Sequence, residues 1–413
     1  MRVCIQWPRF GPIQLARLTA AHAYFQERGA EVIAFETAGD DLLYDWRVES
    51  GPVPFPREQV FPGRVHEEIP PPEMRAGVAA ALDRIDPDAV AIMSYGFPDA
   101  RACLGWCRRH RRAAINMYAT SEGSAPRTGW RERIKRVIVG EFDAALVGGT
   151  RHRAYLEKLG FDPALIFTGY NAVDNAFFRR HAEEARRHPE RVRHLPGLEA
   201  GGPYFLASNR FLAIKNLDGL LRAYHAYRQR VEAPWRLLLL GDGPDRPRLE
   251  AIIERERIEG VVLCGFRQIE ELPAYYAHAG VFVHPSFKDT WGLVVNEAMA
   301  TGLPVLVSDG SDCAPDLVIE GETGYRFAPE DTGRLTDLMV RLASDAAERQ
   351  ALGQRGQALI EAYAPEAFAH GLWQAVHAGL ARADRGPSLA ATVLNGALRL
   401  AERDVTSFHT QEI

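Results

Sequence analysis

Short apolar runs of strand length alternate with helical patterns from Met1 to about Phe167. The runs are Val3 to Gln6, Glu31 to Phe35, Ala89 to Met93, Ala113 to Met117, Ala144 to Val147 and Leu165 to Phe167. Segments between them, near 13–28, 74–84, 99–109, 130–139 and 150–159, space their apolar residues for a helix, as at Leu15, Leu18 and Phe25. Strands that alternate with helices predict a doubly wound α/β domain. Asp40 to Pro72, rich in proline and aromatics, departs from the pattern and reads as an irregular insertion or an extra strand at a cleft edge. From Pro203 the alternation repeats, with strands at Tyr204 to Ala207, Leu237 to Leu240, Val261 to Cys264, Val281 to His284 and Val305 to Val307. Between the two halves, residues 181–202 (HAEEARRHPERVRHLPGLEAGG) are charged and poor in apolar side chains, which marks a helix fragment and a linker. The expected division is therefore 1–195, 196–365 and a helical end, 366–413. That end places Phe368, Leu372, Trp373, Val376 and Leu380 on one helix face and continues, after Pro387, in an amphipathic tail. The tail lacks a basic face and a bulky aromatic, so packing is favoured over a membrane-surface role.

Composition narrows the class. With 413 residues, 46% hydrophobic and 25% charged, the chain is expected to be soluble and large enough for two cores. A formal net charge of −5 supplies no basic field for nucleic acid, and no apolar run approaches the roughly 20 residues that span a bilayer. The chain enters a strand at once, without a leader pattern, so the expected location is the cytoplasm. Cys4, Cys103, Cys107, Cys264 and Cys313 contain no CxxC pair and are expected as buried, reduced thiols. No DxD-like acidic loop or His/Cys cluster has ligand spacing, so no metal is expected. Only four of the 49 basic residues are lysines, which draws attention to Lys215 and Lys288. Nothing in the sequence sets the oligomeric state.

The chemistry concentrates in HPSFKDTWGLVVNEAMATGLPVLVSDGSDCAPDLV, residues 284–318. A strand ending at His284 leads into a polar loop with Pro285, Lys288 and Asp289. A mostly apolar helix follows from Gly292 to Thr301, Gly302 and Pro304 stop it, and Val305 begins the next strand. Asp289 lies just before the helix and Glu297 within it, while the helix's N-terminal amides around Trp291, Gly292 and Leu293 attract anions and hydroxyl oxygens. An isolated pair of this kind also reads as a capping Asp and a solvated Glu. The apolar surroundings favour a designated partner for Glu297, because an unpartnered buried carboxylate is costly. In open α/β sheets ligands bind beyond the C-terminal ends of strands. There, after Tyr204 to Ala207, stand Arg210 and Lys215 at a helix start. The helix dipole disfavours cations at that end, so a bound anion explains them better than surface charge does. Gly241 in LGDGP and Arg267 in CGFR follow the next two strands, in turns that read either as ligand loops or as ordinary turns.

From Asp289 to Val305, D-T-W-G-L-V-V-N-E-A-M-A-T-G-L-P-V resembles the signature E-x-F/W-G-L-x-x-x-E-A-M-A-x-G-x-P-V of glycosyltransferase family 4, with Asp289 in place of the first Glu. SNRFLAIKNLDGLLRA, residues 208–223, likewise matches that family's S-x-R-x-x-x-x-K-N-x-x-x-L-x-x-A. The resemblance implies the GT-B fold: two Rossmann-like domains facing across a cleft that closes on substrate, with the last helices crossing back to the first domain. The first domain would bind the acceptor and the second the nucleotide sugar. By the same resemblance Glu297 would bind the donor's ribose, and Asp289 the hydroxyls of its sugar. Trp291, Gly292 and Leu293 would line the sugar pocket through their amides. Arg210 and Lys215 would hold the diphosphate and stabilise the charge that grows there, without a metal or other cofactor. Gly241 and the loop at Arg267 would approach the donor, with Leu272 packing on the base, and Gly11 would offer an amide to a phosphate.

On the acceptor side the family's His-Asp pair is replaced by Tyr118-Ala-Thr-Ser121-Glu122-Gly-Ser124. Glu122 could bind or deprotonate an acceptor hydroxyl or ammonium, or be an ordinary solvated loop residue. Tyr95, Tyr118, Ser121 and Arg127 are further acceptor candidates, as is the segment Asn171 to Asp174. The implied activity is sugar transfer with retention, from a nucleoside-diphosphate sugar (UDP first, GDP second) to a hydroxyl of a small molecule or glycan. The alternatives are a nucleotide-sugar epimerase or hydrolase of the same fold, and a non-catalytic nucleotide-sugar-binding protein.

Overall fold

The computed structural model describes residues 1–40, 46, 51–124, 129–384 and 386–388. It forms two compact units, one of Met1–Ala172 with the chain from Pro365, the other Val173–Ala364.

The first unit alternates β1 (Arg2–Trp7), α1 (Pro12–Gln26), β2 (Glu31–Asp40), β3 (Arg57–Val65), α2 (Pro71–Ile85), β4 (Ala89–Met93), α3 (Pro98–His110), β5 (Ala113–Tyr118), α4 (Gly129–Val139), β6 (Ala144–Val147), α5 (Thr150–Lys158) and β7 (Ile166–Thr168). The seven strands are parallel, in the order β3-β2-β1-β4-β5-β6-β7, so the order reverses between β1 and β4. The proline-rich segment supplies the extra edge strand β3. Local chemistry sets several ends. α1, α2 and α3 each begin on a proline, whose missing N–H would have had no helical partner there. α2 and α3 end on left-handed Asp86 and Arg111, at φ 47° and 54°.

The second unit runs through α6 (Asn175–Arg187), β8 (Tyr204–Ser208), α7 (Leu217–Arg228), β9 (Arg236–Leu240), α8 (Arg246–Arg255), β10 (Val261–Gly265), α9 (Leu272–His278), β11 (Val281–His284), α10 (Leu293–Ala300), β12 (Val305–Ser308), α11 (Ala314–Leu317), β13 (Gly324–Phe327), α12 (Thr332–Ser344) and α13 (Ala346–Ile360). Its six parallel strands are ordered β10-β9-β8-β11-β12-β13, with the reversal between β8 and β11. The units divide at Ala172/Val173, ahead of the expected 195/196, because α6 packs inside the second unit. Phe178 meets Tyr276 edge-on at 6.0 Å, and Arg186 donates to the carbonyls of Ala277 (3.0 Å) and Thr301 (2.7 Å).

The last described helix, α14 (Pro365–Leu380), belongs to the first unit. Phe368, Leu372, Ala375 and Val376 are wholly buried in a core with Val3, Leu18, Phe25 and Leu146, and Trp373 packs edge-on against Phe25 at 5.0 Å. Gly371 permits the close approach: a Cβ there would lie 2.0 Å from the Thr168 carbonyl oxygen. The amphipathic tail, 389–413, lies outside the described residues.

Candidate functional site

The crevice where strand order reverses in the second unit is the expected ligand position in an open parallel sheet. The loops that leave β8 and β11 meet there. The first carries Arg210 and then a single 3-10 turn, Ala213–Lys215, before left-handed Asn216 (φ 53°) opens α7. The second runs from His284 through Asp289 to Gly292. Phe287 N–H donates to the Ile214 carbonyl at 2.9 Å, and the Asn216 amide donates to the Pro285 carbonyl at 3.1 Å, which fastens one loop to the other. Across this junction Lys215 Nζ donates to Asp289 Oδ2 at 2.6 Å. His284 Nε2 lies 3.1 Å from the same oxygen, and the Trp291 amide donates to Oδ1 at 3.3 Å. Burial pushes the Asp289 carboxyl up, but the Lys215 charge and the His284 hydrogen bond outweigh it and hold the group well below the usual carboxylate range.

Glu297 sits one turn into α10, 5% exposed, and accepts a 2.7 Å hydrogen bond from the buried Tyr276 hydroxyl of α9. Burial pushes its carboxyl up to about 7, against the pull of Tyr276 toward the charged form. Between the two acids, the Trp291 indole N–H donates to Asn296 Oδ1 at 2.9 Å, which fixes a 3%-exposed ring. Gly292 takes φ 91° and Leu293 is half-buried at the first turn of α10. The glycine loop after β9 closes against the loop after β8. Gly241 N–H donates to the Gly265 carbonyl, and at φ 118° a Cβ on it would stand 1.9 Å from the Asn209 carbonyl oxygen. Arg267 folds back on the Cys264 carbonyl and Glu271, and Leu272 is buried at the start of α9.

Of the residues assigned to the acceptor, Tyr95, Tyr118, Ser121 and Glu122 fall in the first unit, and the segment Asn171 to Asp174 runs from the first unit into the second. Tyr95, just beyond β4, stacks at 5.9 Å on the buried Tyr118 that ends β5, and Ser121 is buried nearby in sequence. Glu122 is exposed and ion-paired with Lys158. Arg127 lies outside the described residues. At the N-cap of α1, the Gly11 amide donates to Gln14 Oε1 at 3.0 Å, so a phosphate at that amide would have to displace Gln14.

Two residues of the crevice were not among the sequence candidates. Tyr276 lies in an apolar helix, where a tyrosine reads as core. His284 carried a faint signal, being the one polar residue of a buried strand, at the strand's C-terminal end.

Two doubly wound parallel sheets, the second bearing its site at the reversal of strand order, define the GT-B fold. A solved sucrose-phosphate synthase of Thermosynechococcus elongatus shares it at a TM-score of 0.70 and 21% identity, over 91% of this chain and 98% of that one. Residues 191–359 match the family model of glycosyl transferases group 1. That match lies within the second unit, Val173–Ala364. Among the chain's relatives, the sulfoquinovosyl transferase of Arabidopsis thaliana is 35% identical over 31% of this chain and 25% of its own length. A D-inositol 3-phosphate glycosyltransferase of Nocardia farcinica is 27% identical over 66% of this chain and 60% of its own. The chain thus spans between a quarter and 60% of these curated relatives. Among the described residues no helix is long and apolar enough to cross a membrane.

Proposed function

We propose that this protein is a retaining glycosyltransferase that moves a sugar from a nucleoside-diphosphate sugar to a hydroxyl of a small molecule or glycan. The observation that carries the reading is the joined loop pair at the β8/β11 crevice, where Lys215 pairs with Asp289, with Arg210 on the same loop as Lys215 and Glu297 on the helix that follows Asp289, all in one unit. Glu297 accepts from the ribose hydroxyls, and Asp289 orients the sugar. The acceptor oxygen attacks C1 on the face the leaving group occupies, the C1–O bond to the diphosphate breaks, and the acceptor's proton passes to the departing phosphate oxygen. Negative charge grows on that phosphate, and Arg210 and Lys215 stabilise it without a metal. For this, Lys215 exchanges its bond to Asp289 for one to the phosphate. A UDP sugar is the first choice of donor and a GDP sugar the second.

The test is calorimetric binding of UDP, GDP, ADP and dTDP in the presence of EDTA, followed by product analysis with the matching nucleotide sugar. One nucleotide is expected to bind in the wild type and not in Glu297→Ala. Lys215→Ala is expected to lose about 10²–10³ in turnover, and full activity in a folded Lys215→Ala overturns the phosphate assignment. Release of free sugar would instead make the protein a hydrolase, an isomerised nucleotide sugar an epimerase, and binding without turnover toward any acceptor a non-catalytic binder.

A further inference from the structure

Asp289 is one methylene shorter than the Glu of the motif it resembles, and its partner His284 comes from outside that motif. His284 ends β11 and is wholly buried, with Nε2 3.1 Å from Asp289 Oδ2 and 3.4 Å from Ser286 Oγ. An ionised carboxylate only accepts, so Nε2 carries the proton of the imidazole, while the buried Nδ1 finds no hydrogen-bond partner. The loop is shaped around this ring. A Cβ on Gly292 would stand 2.8 Å from His284 Nε2, and Gly292 holds φ 91°, so the segment that closes over the imidazole needs glycine at that place.

Lys215 and His284 bind the same oxygen of Asp289, whose side chain is 15% exposed. When Lys215 turns to a phosphate, that oxygen loses its cation in a site with little water to replace it, where an unpartnered carboxylate is costly. His284 cannot leave, because it sits in the sheet. We propose that His284 is a positioning residue that keeps Asp289 oriented toward the donor's sugar while Lys215 serves the diphosphate. This rests on the transferase reading above and adds to it a residue that acts through Asp289 rather than on the substrate.

The experiment compares His284→Leu, His284→Gln and His284→Asn in the full chain. Glutamine can place an amide N–H where Nε2 stands, whereas asparagine reaches only as far as Nδ1. Affinity is measured for the nucleoside diphosphate and, separately, for its sugar ester, together with kcat. His284→Leu and His284→Asn should bind the diphosphate within about twofold of wild type, yet bind the sugar ester at least tenfold more weakly and lose at least tenfold in kcat. His284→Gln should bring both back to within about threefold. Unchanged sugar-ester affinity in a folded Leu or Asn variant overturns the proposal, as does equal loss of diphosphate and sugar-ester affinity. If Leu fails to fold, the Gln and Asn pair decides by the same criteria. A wild type that binds the sugar ester without transferring sugar sinks the transferase reading and leaves this proposal to the binding data. A wild type that binds neither ligand sinks both.

Discussion

At the scale of single residues, Glu297 sets the expected response to pH. Its carboxyl, ordinarily near 4.5, is pushed up by burial to about 7 in the folded chain. Below pH 4.5 both folded and unfolded forms hold the proton and the group contributes nothing. Between about 4.5 and 7 the folded form keeps a proton the unfolded form has lost, so this group's contribution to stability falls as pH rises through that window and levels off above it. Nucleotide affinity should run the other way, since ribose hydroxyls donate to a carboxylate. Calorimetry at pH 5.5, 6.5 and 8 should show affinity rising toward 7 and flat beyond, by about tenfold per unit well below the midpoint. Tyr276→Phe removes the 2.7 Å donor that favours the charged form. It should move the midpoint upward and weaken nucleotide binding at pH 7 by about 1–3 kcal/mol. A midpoint unmoved in this variant would mean that Tyr276 does not govern Glu297.

At the scale of elements, the crevice is made by loops that glycine lets approach one another. Gly292→Ala combines a left-handed φ of 91° with a Cβ 2.8 Å from His284 Nε2, and Gly241→Ala a φ of 118° with a Cβ 1.9 Å from the Asn209 carbonyl oxygen. Each is expected to cost at least about 1–3 kcal/mol in a urea unfolding experiment. Gly29→Ala, also at positive φ (72°) but with nothing within 4 Å of its Cβ, separates the two contributions. It should lose only the backbone share, about 1 kcal/mol. The sequence made the βαβ unit at β11, α10 and β12 legible because apolar runs, a helix-stopping Gly302 and the Pro304 break are local signals. It did not show that the 3-10 turn at Lys215 lies against Asp289, since 74 residues separate the pair.

At the scale of the molecule, each unit carries its own sheet and core, and α14 completes the first. Wholly buried Phe368, Leu372 and Val376 together withdraw apolar surface worth about 5–9 kcal/mol. A chain ended after Ala364 should therefore lose the unfolding transition of the first unit in calorimetry. Limited proteolysis of that chain should leave a resistant fragment close to Val173–Ala364. Survival of both transitions would show that the first unit does not need α14.

The sequence by itself determined the alternation of strands and helices, the two sheets, and the acids and cations of the motif-bearing segments. All of these follow from periodicity, from turn residues, or from short fixed spacings that read along the chain. Tertiary structure alone decided three further things. α6 belongs with the second sheet, because Phe178 and Arg186 find partners there that the charged segment after them does not announce. Glu122 sits in an exposed ion pair with Lys158, an arrangement its loop sequence does not disclose. Asp289 and Glu297 are held by His284 and Tyr276, residues that look like core because they lie in buried, apolar elements. The physical reason is common to all three: local propensity and hydrophobic pattern are properties of neighbours in sequence, whereas a side chain's distant partner is set by which elements the folded chain brings into contact.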